Sequence, residues 1–178
     1  MKKSSDDFYP QSEINIEFCI KGENINPADI TKIIEISPSR SYSKGDQIKN
    51  KPVFRDHSLW EIETGFQLSF DVNNQLEIMI DMLNNKKDLI KKLTLKYDIL
   101  ISFIIVINFI NQDKPAIYLN KEVISFANEI GADIQFDYYF YEKSNCEHAC
   151  RADWRDGVPC HRRTSGRCRK AGAVCAGG

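Results

Sequence analysis

Long hydrophobic runs are missing from this 178-residue chain. The longest, residues 99–110, is interrupted by Ser102 and Asn108, whereas a helix needs ~20 apolar residues to span a bilayer. The first twenty residues hold no apolar stretch of the signal-peptide type, so secretion by that route is not expected and the cytoplasm is. Net charge is nearly absent as well, at −1, which excludes a uniformly basic nucleic-acid binder. A hydrophobic content of 42% excludes a wholly disordered chain.

Residues that carry chemistry are scarce up to residue 142, where Cys19 and His57 are the sole cysteine and histidine. A nucleophilic pair would require those two side chains to meet; a half-buried thiol and a loop histidine are the simpler expectation. Neither G-x-x-x-x-G-K-S/T nor G-x-G-x-x-G occurs, so a glycine-rich phosphate cradle has no support. Asp71-Val72-Asn73 opens like a calcium loop, but Leu76 stands where the sharp turn needs glycine and Met82 where a bidentate glutamate belongs. A capped helix start is the better reading. No two carboxylates are singled out by spacing for acid–base work. No enzyme and no cofactor are expected.

What is present divides into two compositions. Residues 1–142 hold 16 Lys and Arg against 22 Asp and Glu, and Arg40 and Arg55 are the only arginines. Residues 143–178 hold 8 basic against 3 acidic residues, five of the six cysteines, and no Ile, Leu, Phe or Tyr. The first part is rich in residues of AT-rich codons and the second in those of GC-rich codons, which points to separate genetic origins. The expected organisation is a loose N-terminus over 1–11, one α+β domain over 12–142, and a basic, cysteine-rich tail over 143–178.

Within 12–142 the hydrophobic period alternates between that of strands and that of helices. Ile14, Ile16, Phe18 and Ile20 face one way and Glu13, Asn15, Glu17 and Cys19 the other, as in a half-buried strand that Gly22 ends. Asn26 and Pro27 are a helix cap and first turn, and Ser37-Pro38-Ser39 stops that helix. Residues 40–56 read as a polar loop. A strand follows with Trp60 and Ile62 inward, Glu61 and Glu63 outward, and Trp60 in the core. Residues 73–97 have helical period, with Asn84-Asn85 as a break. Residues 98–109 are apolar on both sides, as a strand buried on two faces would be. Residues 116–119 are expected to form a short strand. Asn120 caps a helix that ends at Gly131, and residues 132–141 alternate again. The order β-α-β-α-β-β-α-β predicts an α+β domain, a mostly antiparallel sheet with helices packed on one face.

The outward positions of three strands carry Glu13, Glu17, Glu61, Glu63, Asp133 and Asp137. A solvated face on an acidic protein is the plain reading. If the strands are neighbours, the same residues form a docking surface for a basic partner, with Tyr139 as an anchor. The face cannot all be open, because the strand at 98–109 is apolar on this side too.

In the tail, Cys146, Cys150, Cys160 and Cys168 match the number of ligands in a zinc tetrahedron. No C-x-x-C pair is present and Cys175 is left over, so the expectation is a disordered or foreign segment without metal. A zinc-stapled regulatory or nucleic-acid-binding module is the alternative.

Several short elements in order, Phe18-Cys19-Ile20-Lys21-Gly22, Pro27-Ala28-Asp29-Ile30-Thr31, Ile36-Ser37-Pro38-Ser39, Lys44-Gly45, Trp60 and residues 124–132, give the chain its resemblance to a known family. Residues 12–141 resemble the DUF4279 family of small bacterial proteins. Members of that family often lie beside polymorphic toxin genes, and some look like cognate immunity proteins. More narrowly, the domain is similar to the immunity protein of a Bacillus wall-associated toxin whose C-terminal domain acts on tRNA. The resemblance implies a cytoplasmic immunity protein whose partner is the C-terminal domain of a contact-dependent toxin. It implies no catalytic residues, no direct contact with nucleic acid and no membrane.

Overall fold

In a computed structural model of the chain, the described residues are 12–110 and 113–141. The expected helix starts form where their capping groups stand. In helix α1, Pro27–Ile34, the Asn26 carboxamide oxygen accepts from the Ala28 N–H at 3.0 Å, and Pro27 fills the first turn, where no intrahelical donor is needed. Glu35 closes that helix in a left-handed conformation, its N–H donating to the Thr31 carbonyl at 2.8 Å. Asp71 caps α2, Val72–Leu83, by accepting from the Asn73 N–H at 2.9 Å, so the aspartate that resembled a calcium ligand is a helix cap. The Asn84–Lys86 segment turns as a 3-10 helix and separates α2 from α3, Lys87–Lys96. Asn120 caps α4, Lys121–Ile130, and Gly131 ends it at a φ of 66°.

Six strands form one mixed sheet: β1 (Glu13–Gly22), β2 (Arg40–Tyr42), β3 (Ser58–Glu63), β4 (Gln67–Leu68), β5 (Leu100–Ile110) and β6 (Ala132–Tyr141). The order is β2-β3-β1-β5-β6, with β4 paired to the start of β1. All pairs are antiparallel except β5–β6, which α4 connects in parallel. The helices all pack on one side. Ile14, Ile16, Phe18 and Ile20 of β1 meet Trp60, Ile62 and the odd-numbered residues of β5 there, under Ile30 and Ile34 of α1, Leu76 and Met79 of α2 and Phe126 of α4. Phe18 sits at the centre, 5.1 Å from the Phe103 ring and 6.5 Å, edge to face, from Trp60. The domain is therefore α+β, as its hydrophobic periodicity predicts.

Two local expectations fail. The loop at 40–56 contributes β2, held by only three residues of register against β3. Residues 116–119 do not form a strand; a single parallel bridge joins Ala116 to Asp71. That segment is too short to pair further, and its polar work passes to Asn73, whose amide donates to the Tyr118 carbonyl at 2.7 Å and whose oxygen accepts from the Asn120 N–H. No helix among the described residues is long and apolar enough to cross a membrane.

Candidate partner-binding face

Alternation along each strand sends the polar residues of β1, β3, β5 and β6 to the side away from the helices. Register then fixes who neighbours whom. One row reads Glu61, Cys19, Ser102, Asp133; the next reads Glu63, Glu17, Ile104, Gln135. The third joins Asn15, Val106 and Asp137, and the fourth Glu13, Asn108 and Tyr139. All seven residues expected to meet a partner thus lie on one face of four adjacent strands.

They are not equivalent there. Glu63, Asp133, Asp137 and Tyr139 are exposed, Glu13 and Glu17 are half-buried, and Glu61 is only 3% exposed. Glu61 accepts a 2.6 Å hydrogen bond from the Arg40 guanidinium on β2 and a 3.3 Å bond from the Cys19 thiol. A carboxylate so enclosed ties β2 to the sheet and has little left to offer a partner. Glu63 accepts from the Asn15 amide at 3.0 Å and Glu13 from the Asn108 amide at 3.3 Å. The Tyr139 hydroxyl donates to Asp137 at 2.8 Å, and that bond to a carboxylate raises the phenol's pKa.

The carboxylates share one field. Burial raises the pKa of Glu17, and the nearby charges of Glu61, Glu63 and Asp137 raise it further, against the lowering effect of Arg40. A charge on β6 thus acts on a residue two strands away. Burial, followed by Glu61, also pushes the Cys19 thiol well above its ordinary range.

Glu17, Cys19 and Glu61 bring their ligand-capable atoms within 4.8 Å of one another. The guanidinium already on Glu61 and the proton held on Cys19 both work against cation binding there. Nor does Cys19 meet His57. The His57 ring stands between the Tyr42 hydroxyl, 3.1 Å from Nε2, and the Asp56 carboxylate, 2.6 Å from Nδ1. The candidate zinc ligands Cys146, Cys150, Cys160 and Cys168 lie outside the described residues.

Arg40 escaped the reading of residue pattern, because a lone arginine in a polar loop gives no sign that it will neutralise a strand glutamate 21 positions on. The one available hint was compositional: only two arginines occur before residue 143.

The short elements that carried the family resemblance occupy joints of this architecture. Gly22 ends β1 where a Cβ would lie 2.9 Å from the Asp98 carbonyl oxygen. Ser39 donates its N–H to the Glu61 carbonyl and accepts from the Glu63 N–H, docking the segment after α1 on β3. Gly45 turns the following loop at a φ of 89°. No curated protein and no solved structure matches the chain. The model of the family described as "Domain of unknown function (DUF4279)" matches residues 12–141, and the chain belongs to that family.

Proposed function

We propose that this chain is an immunity protein that binds and neutralises the C-terminal toxic domain, a nuclease, of a cognate contact-dependent toxin. The observation that carries the reading is the sheet face that no described helix covers, on which Glu13 and Glu17 of β1 and Glu63 of β3 point to the same side as Asp133 and Asp137 of β6, across the intervening β5. Nucleases hold phosphates with basic grooves, and an ordered set of carboxylates on a rigid sheet can occupy such a groove stoichiometrically. Tyr139 supplies an aromatic anchor at the edge of the acidic field. Glu61 serves the reading indirectly, by keeping β2 and Arg40 in place. The resemblance to the immunity protein of a wall-associated toxin supports the same assignment, and binding takes place in the cytoplasm of the producing cell.

The test is survival. The full chain and a Glu17→Lys/Glu63→Lys/Asp137→Lys variant are each co-expressed with the toxin domain encoded next to this gene. Rescue by the native chain and loss of rescue by the folded variant support the reading. Failure of the native chain to rescue removes it for that toxin.

A further inference from the structure

We propose that β6 is a homodimer interface, pairing antiparallel with β6 of a second copy of this chain about a two-fold axis at Tyr138. The two sheet edges differ in kind. β2 is three residues long and carries Arg40, a short, charged edge of the sort that resists further pairing. β6 is ten residues long and contains no Lys, Arg, Pro or Gly. Among the described residues, β5 is its only strand neighbour, so no described strand occupies its outer N–H and C=O groups.

Its side chains are exposed to match. Phe136, Tyr138 and Phe140 point to the helix side yet remain 38%, 45% and 79% exposed, so the helices leave the far half of the strand uncovered. They are already ordered as a row. Phe140 stacks on Phe109 of β5 at 4.9 Å and 11°, Tyr138 packs on Phe109 at 5.8 Å, and Phe136 packs on Tyr138 at 5.9 Å. Three aligned rings at a sheet edge are half of a cross-strand aromatic cluster.

Charge selects the occupant and the register. With the axis at Tyr138, Phe136 faces Phe140 of the second copy and Tyr138 faces itself. On the other side of the sheet Asp137 faces Tyr139, whose hydroxyl already donates to Asp137 of its own strand, and Gln135 faces Tyr141. No acid opposes an acid. An axis at Asp137 sets that carboxylate against its own copy, and one at Gln135 sets Asp133 against Asp137, both unfavourable. Other axes that separate the acids lose aromatic pairs: one at Phe136 sets Phe140 against Ala132, and one at Tyr139 or Phe140 leaves Phe136 without a partner within the strand. The sequence of this strand is therefore complementary to itself, as an isologous interface requires. One strand edge with its aromatic rows lies toward the low end of stable interface sizes, so the dimer is concentration-dependent.

Sedimentation equilibrium of the full chain between about 1 and 100 µM tests this. The native chain is expected to rise from one chain to two across that range. Tyr138→Lys places like charges at the axis and is expected to stay monomeric. Leu95→Lys, at a still more exposed apolar position on α3, is expected to dimerise like the native chain. If Tyr138→Lys does not fold, hydrogen exchange of the native chain decides: the 133–141 amides must exchange more slowly at 100 µM than at 1 µM. A native chain that is monomeric throughout overturns the proposal, whether its own tail or nothing at all covers the edge. So does a dimer that survives Tyr138→Lys.

Discussion

The indole N–H of Trp60 donates to the Thr31 hydroxyl at 2.9 Å, which in turn donates to the Pro27 carbonyl at 3.1 Å. These bonds join a strand in the middle of the sheet to the first turn of α1. Trp60 is fully buried, so its one polar atom must find its partner inside the protein. Thr31→Val keeps the shape and removes the acceptor. It is expected to lower stability by about 1–3 kcal/mol, the penalty of a buried donor left unmade. Urea unfolding midpoints of Thr31→Val and Thr31→Ser check this; the serine retains the hydroxyl and stays close to the native midpoint.

Glu17 gives a pH signature. Its pKa is raised in the folded chain, chiefly by burial, so the folded state holds that proton more tightly than the unfolded state does. The resulting stabilisation is complete below the unfolded pKa and is lost as pH rises through the folded one. Glu17→Gln removes the charge that causes the loss. Its stability relative to the native chain is expected to increase from about pH 4 to about pH 7, read as the difference between denaturant midpoints. A difference that stays flat over this range would show that neither burial nor the field across the sheet face raises the pKa of Glu17.

Reversing Glu17, Glu63 and Asp137 together to Lys tests the face as an electrostatic surface. The association rate with the cognate toxin domain is expected to fall roughly 10–1,000-fold, and the salt dependence of that rate to shrink or reverse sign. Stopped-flow binding at two ionic strengths gives both quantities. An unchanged rate would move the docking surface elsewhere. The circular dichroism spectrum of the variant is expected to remain native, since Glu63 and Asp137 are exposed and Glu17 is half-buried.

Most of the sheet could be read from periodicity because β1, β3 and β5 carry unbroken apolar faces that only one side of a strand can bury. The helix break at Asn84 and the Asn26, Asp71 and Asn120 caps were legible for a similar reason: each is settled within one turn of the chain. The failures are non-local. β2 lacks a pattern of its own and exists because Arg40 meets Glu61 across the β3 pairing. The same contact takes Glu61 out of the exposed set, although its alternation matches that of Glu63. Alternation showed which residues of β6 share a face, but not that its apolar side would extend past the helix layer. The close approach of Asp98 to Gly22 likewise depends on how β5 enters the sheet, about 75 residues later in the chain.

The position of β1 between β3 and β5 also sets the timing of assembly. Ile16 waits 89 residues for Ile105, its partner in β5. At the usual pace of synthesis that interval is roughly 5–20 seconds. Until then β1 can pair only with β3 and β4, along one flank, and its other flank stays open. The sheet closes late and through sequence-distant contacts, which makes folding slow for a domain of this size. A newly made chain therefore passes through a stage in which the apolar flank of β1 is exposed before it can act on any partner.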